Sequence, residues 1–117
     1  MDMARILLVD DEPLISAITE EWLLDLGHSV VGPALDLASA LKLAESGVDA
    51  AIIDVSLGRE KGYPLAEVLK ARGVPFVFAT GYGKDGLEPA WRDSQTLAKP
   101  FAFDAFRGAI ETMIGAA

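Results

Sequence analysis

The sequence contains no cysteine and a single histidine, His28. Disulfides, thiolate-bound zinc, iron–sulfur clusters and thiol nucleophiles are thereby excluded, and a histidine triad or multi-histidine metal site has too few members. Basic residues are also scarce: 10 Lys and Arg stand against 18 Asp and Glu, a formal net charge of -8 over 117 residues. That balance repels nucleic-acid backbones and anionic membrane surfaces, so direct binding to either is not expected. No apolar run approaches the ~20 residues of a membrane-spanning helix, and the start Met1-Asp2-Met3-Ala4-Arg5 lacks the basic region of a secretion signal. A cytoplasmic location is expected. The chemistry open to the chain is that of carboxylates, hydroxyls, Lys and Arg.

What is present suits one self-sufficient domain over residues 1–117, with 51% hydrophobic residues to build its core. Ile6-Leu7-Leu8-Val9 is wholly apolar and stops at Asp10-Asp11, and 48–54 repeats the pattern and stops at Asp54. Both read as central strands buried on two faces. Phe76 to Thr80 is a third apolar run, and 29–32 and 96–98 are shorter strands. Leu14, Ile15, Ile18, Trp22, Leu23 and Leu26 recur at helical spacing up to Gly27. Further helices are predicted over 38–44 behind Asp36, over 63–71, and over 102–114, where Phe103, Phe106, Ile110 and Met113 form a stripe. Between Gly81 and Asp93, the glycines at 81, 83 and 86 and Pro89 allow only a short or frayed helix over 84–92, in a mobile segment.

Strands alternating with helices, joined by right-handed crossovers, predict a parallel five-stranded α/β sheet with helices on both faces. In such sheets a ligand sits beyond the carboxyl ends of the strands. Those ends carry Asp10 and Asp11, Asp54, Thr80 and Lys99. If the strands are ordered 2-1-3-4-5 along the sheet, Asp10, Asp11 and Asp54 converge. Three like charges in one small volume call for a cation, and hard oxygen ligands suit Mg²⁺, which takes one or two carboxylates plus a phosphate oxygen. A phosphoryl site follows. Singly, each residue has an ordinary reading: Asp11-Glu12-Pro13 as a helix start with cap and early proline, Asp54 as a turn residue, Thr80 as a strand terminator, Lys99 as a solvated charge.

Taken together, Leu7-Leu8-Val9-Asp10-Asp11-Glu12-Pro13, Asp54 after Ala51-Ile52-Ile53, Thr80 before Gly81, and Lys99-Pro100-Phe101 resemble the receiver domain of two-component response regulators. The strand order 2-1-3-4-5 of this flavodoxin-like fold is taken in part from that resemblance. It implies that Asp54 is the nucleophile accepting a phosphoryl group from a histidine kinase or histidine phosphotransferase. It further implies Mg²⁺ held by Asp10 or Asp11, Asp54 and the backbone carbonyl of Ser56, a phosphoryl oxygen paired with Lys99, and a Thr80 hydroxyl that shifts toward that oxygen. Lys99-Pro100 is expected to be cis. Such a domain passes its own phosphoryl group on or loses it, and is not a turnover enzyme.

Phe76-Val77-Phe78-Ala79-Thr80-Gly81-Tyr82-Gly83 resembles more narrowly the FAT GUY receivers of alphaproteobacterial signalling, mostly stand-alone domains. Thr96 occupies the position where many receivers carry a switching Tyr or Phe, so the expectation is that Tyr82 takes that role from the loop Gly81-Tyr82-Gly83. After Lys99-Pro100-Phe101 the chain has length for one helix, so no effector domain is expected. Output would pass to a protein partner, or the domain would act as a phosphoryl shuttle or sink, as a monomer or weak dimer. Two other readings remain: an aspartyl-phosphate phosphatase dependent on Mg²⁺, which would want Asp-x-Asp where the chain has Asp10-Asp11-Glu12, and a non-catalytic flavodoxin-like interaction domain.

Overall fold

A computed structural model of the chain describes residues 3–115; Met1 and Asp2, part of the chain start considered above, lie outside it with Ala116 and Ala117. Five strands form one parallel sheet: β1 (Arg5–Val9), β2 (Ser29–Ala34), β3 (Ala50–Asp54), β4 (Phe76–Thr80) and β5 (Thr96–Ala98). Their spatial order is β2-β1-β3-β4-β5, as expected from the sequence. The helices are α1 (Pro13–Asp25), α2 (Leu37–Ala44), α3 (Tyr63–Ala71) and α4 (Phe103–Gly115).

The two central strands are apolar from Ile6 to Val9 and from Ala50 to Ile53 because both faces are covered there. Alternate residues separate into two cores. Leu7, Val9, Ala51, Ile53 and Phe78 join Ala40 and Ala44 of α2 and Leu65, Ala66 and Leu69 of α3. Ile6, Leu8, Ala50, Ile52 and Val77 join Leu23 of α1 and Phe106, Ile110 and Met113 of α4. Helix ends follow the local code. Asp36 caps α2 by accepting from Ser39 N–H at 2.7 Å. At the end of α1, Gly27 sits at φ +90°, with Gly27 N–H donating to Leu24 and His28 N–H to Leu23.

Four expectations are corrected. The second strand runs past Gly32 to Ala34, through a cis Gly32–Pro33 peptide and a bulge opposite Leu7 and Val9. Gly32 makes this possible: its φ is +102°, and a Cβ there would meet Ala34 N at 2.7 Å. The third strand starts at Ala50, because Asp49 instead clasps the start of β1, its carboxylate accepting from Arg5 N–H at 2.8 Å. On α1 only Leu23 of the apolar series is fully buried, while Leu14 and Ile18 face outward. Ser16 and Thr19 are buried in their place, bonded to the Asp10 and Ile15 carbonyls. Finally, the expected helix over 84–92 is two 3-10 turns, Gly83–Gly86 and Pro89–Trp91. A proline and three glycines leave no uninterrupted helical turn.

Candidate functional site

Parallel register builds the site. Val9 lies opposite Ile53, so the next residues, Asp10 and Asp54, emerge side by side. Thr80 lies opposite Ala98, so Lys99 enters beside it, its N–H donating to the Thr80 carbonyl at 2.8 Å. Lys99–Pro100 is cis, as the resemblance implied.

Three strand ends share one device. Asp10 Oδ1 accepts from Glu12 N–H at 2.9 Å, Asp54 Oδ1 from Ser56 N–H at 3.1 Å, and Thr80 Oγ1 from Tyr82 N–H at 3.2 Å. Each side chain takes the amide two residues on, which turns the backbone out of the sheet and aims the remaining lone pairs into the cleft. Asp11 does not cap α1. Its carboxylate reaches Gly58 N–H at 2.8 Å, in the turn of a small ribbon pairing Ser56–Leu57 with Glu60–Lys61. Gly62 lets that ribbon close onto β3, because a Cβ there would meet the Asp54 carbonyl at 2.7 Å.

Lys99 ties the acids together. Its ammonium lies 2.9 Å from Asp10 Oδ2, 3.0 Å from Asp54 Oδ2 and 3.3 Å from Glu12 Oε1. Burial opposes the charge on Lys99, and the hydrogen bonds to Asp10 and Asp54 outweigh it, holding the ammonium above the usual lysine range. Burial also dominates at Asp54, pushing its carboxyl up to about 6 against the opposing pull of Lys99. Asp10, Asp11, Glu12 and Asp54 each offer an oxygen, all within 4.8 Å of one another. This all-oxygen cluster could hold a metal ion of the hard, divalent kind.

The sequence-predicted residues thus largely meet. Asp11, Asp54, Ser56, Thr80, Gly81, Tyr82, Lys99 and Pro100 line one cleft, of about 570 Å³, and Asp10, buried and outside that lining, accepts from its Lys99. Gly83 stands apart from that lining, at φ +59° in the first 3-10 turn. Tyr82 is 81% exposed. Sequence reasoning missed Glu12 as a partner of Lys99, Gly62, and the anchoring of the segment after β4. There Tyr63 stacks on Trp91 at 5.9 Å, and its hydroxyl accepts from Glu88 N–H at 2.8 Å. The signal was present as Tyr63 and Trp91, each near a proline, but nothing local pairs them.

The family model of the response regulator receiver domain matches residues 6–111. The chain belongs to the response regulator receiver family. It is 34% identical over 115 residues to the transcriptional regulatory protein PdtaR of Mycobacterium tuberculosis, covering 94% of this chain and 56% of PdtaR. To the phyllosphere-induced regulator PhyR of Methylorubrum extorquens it is 36% identical over 110 residues, 86% of this chain and 40% of PhyR. The chain thus spans about half the length of these curated relatives. The solution structure of SdrG from Sphingomonas melonis is 44% identical with a TM-score of 0.86, over 97% of this chain and 99% of SdrG. Against the BeF3-activated conformation of SdrG the TM-score is 0.81. The FAT GUY resemblance of Phe76 to Gly83 is consistent with these relatives. Among the described residues, no helix of this receiver is long and apolar enough to cross a membrane.

Proposed function

We propose that this receiver accepts a phosphoryl group on Asp54 from a histidine kinase or histidine phosphotransferase and signals through a protein partner in the cytoplasm. The observation that carries the reading is the shared grip of Lys99 on Asp10 and Asp54, in a cleft that also contains Thr80. Asp54 attacks with the oxygen not held by Ser56 N–H; the P–O bond forms as the P–N bond to the donor imidazole breaks, and the nitrogen leaves with the electron pair and takes a proton from water. Lys99 then turns from the Asp54 carboxylate to a phosphoryl oxygen. Thr80 donates its hydroxyl proton to another phosphoryl oxygen once its side chain leaves the bond it accepts from the loop.

Asp10, Asp11, Asp54 and the Ser56 carbonyl would hold Mg²⁺, with Glu12 close enough to join through water. Bound there, the ion supplies positive charge against the phosphoryl oxygens. We read the domain as a carrier of its own phosphoryl group. The phosphatase alternative lacks the second aspartate two residues after the first, since Glu12 stands there and turns to Lys99.

The test is labelling by phosphoramidate or acetyl phosphate, read as intact mass. Wild-type protein is expected to gain one phosphoryl group in Mg²⁺ and none in chelator, and Asp54→Ala none in either. Full labelling of Asp54→Ala would overturn the assignment.

A further inference from the structure

The Thr80 hydroxyl rests in a seat made by the loop that follows it. Its Oγ1 accepts from Tyr82 N–H at 3.2 Å, and the far wall of the seat is the bare Cα of Gly86. A Cβ built on Gly86 would collide with Thr80 Oγ1 and lie 3.1 Å from Tyr82 Cβ. The Gly86 backbone itself does not require glycine, because its φ lies outside the left-handed region. The missing side chain is needed for space alone.

The wall is fixed. Leu87, the next residue, is buried in the core, and its N–H donates to the Lys84 carbonyl at 3.1 Å. Glu88 N–H is held by the Tyr63 hydroxyl. Pressure at position 86 therefore moves Thr80 rather than the turn.

We propose that Gly86 is a positioning residue for Thr80: the space left by its missing Cβ is the seat that holds the hydroxyl on the loop while Asp54 carries no phosphoryl group. This rests on the reading of Asp54 as phosphoacceptor. A phosphoryl oxygen draws Thr80 only by offering it more than the seat does, so the seat opposes activation. Filling it removes the competitor, and the apparent affinity for a phosphoryl mimic rises. The expected gain is about fivefold, the ratio carried by one ordinary hydrogen bond.

The experiment compares wild type, Gly86→Ala, Thr80→Ala and the double variant. The first readout needs no phosphoryl mimic: the Thr80 side-chain rotamer from methyl three-bond couplings, and amide exchange at Tyr82. Gly86→Ala should change the rotamer and expose the Tyr82 amide; an unchanged rotamer with a protected amide overturns the proposal. The second readout is beryllofluoride affinity. Gly86→Ala should bind more tightly with Thr80 present and show no gain with alanine at 80, because the obstructed atom is gone. An equal gain in both backgrounds would place the effect in Tyr82 or the backbone and overturn it.

If Gly86→Ala alone does not fold while the double variant does, the clash with Thr80 is demonstrated directly. Failure of both to fold would mean that Gly86 serves another purpose, which also overturns it. Failure of wild type to bind beryllofluoride would remove the phosphoacceptor reading, and the rotamer comparison would still judge the seat.

Discussion

The cleft is bordered by two unlike regions. On one side, β1 leads into Asp10 and β3 ends in Asp54, both held by sheet register, by amides two residues on, and by Lys99. On the other, residues 81–95 form two 3-10 turns carrying short-range bonds of their own, pinned by Leu87 in the core and Trp91 on Tyr63. The first region is paired on both flanks and cannot shift without breaking ladders. The second can reorganise by exchanging a few contacts, which is the property a reporting segment needs. On the function proposed above, chemistry and response are divided between backbone that is fixed and backbone that is pinned.

The largest effect expected falls on the fixed side and is a pH dependence. Because burial raises Asp54 from the ordinary 3.8 to about 6, the folded chain keeps that proton longer than the unfolded one. Stability from this group therefore falls as pH rises through that interval, and the ionised nucleophile is lost as pH falls below about 6. Labelling without saturating Mg²⁺ should drop about tenfold per pH unit below the midpoint, and carboxyl-carbon NMR should show that midpoint moving down when Mg²⁺ is added.

Lys99→Met comes next. Two buried carboxylates would face each other without a cation, costing about 3 kcal/mol by urea denaturation in chelator. Mg²⁺ should restore part of that stability but not the labelling rate. On the pinned side the costs are smaller. Trp91→Ala removes a half-buried ring from Tyr63, Phe76 and Phe78, with an expected loss of about 2 kcal/mol and little change in labelling rate. Tyr63→Phe keeps the stacking and removes the acceptor for Glu88 N–H, for about 1 kcal/mol. A labelling defect in either variant as deep as that of Lys99→Met would erase the division between the two sides.

Legibility in the sequence follows the same division. The apolar runs ending in Asp10, Asp54 and Thr80 could be read because central strands buried on both faces leave a continuous signal, and alternation with helices sets a parallel sheet. The strand order that brings Asp10 to Asp54 rested partly on family resemblance, since no local feature encodes which strands are neighbours. Helix ends were legible at Asp36 and Gly27, where one side chain or one φ decides. Hidden were contacts made across the chain: Asp11 with Gly58, Tyr63 with Trp91 and Glu88, Thr80 with Gly86. The glycines at 81, 83 and 86 predicted poor helix, but only the fold shows that a Cβ on Gly86 would meet the Thr80 hydroxyl.

The division is tested most directly by amide hydrogen exchange with and without beryllofluoride, resolved by residue. With Asp54 occupied, protection should change within residues 80–95, centred on Tyr82, and stay constant at Leu87 and within β1 and β3. No change over 80–95, or a change spread equally through β1 and β3, would contradict the account.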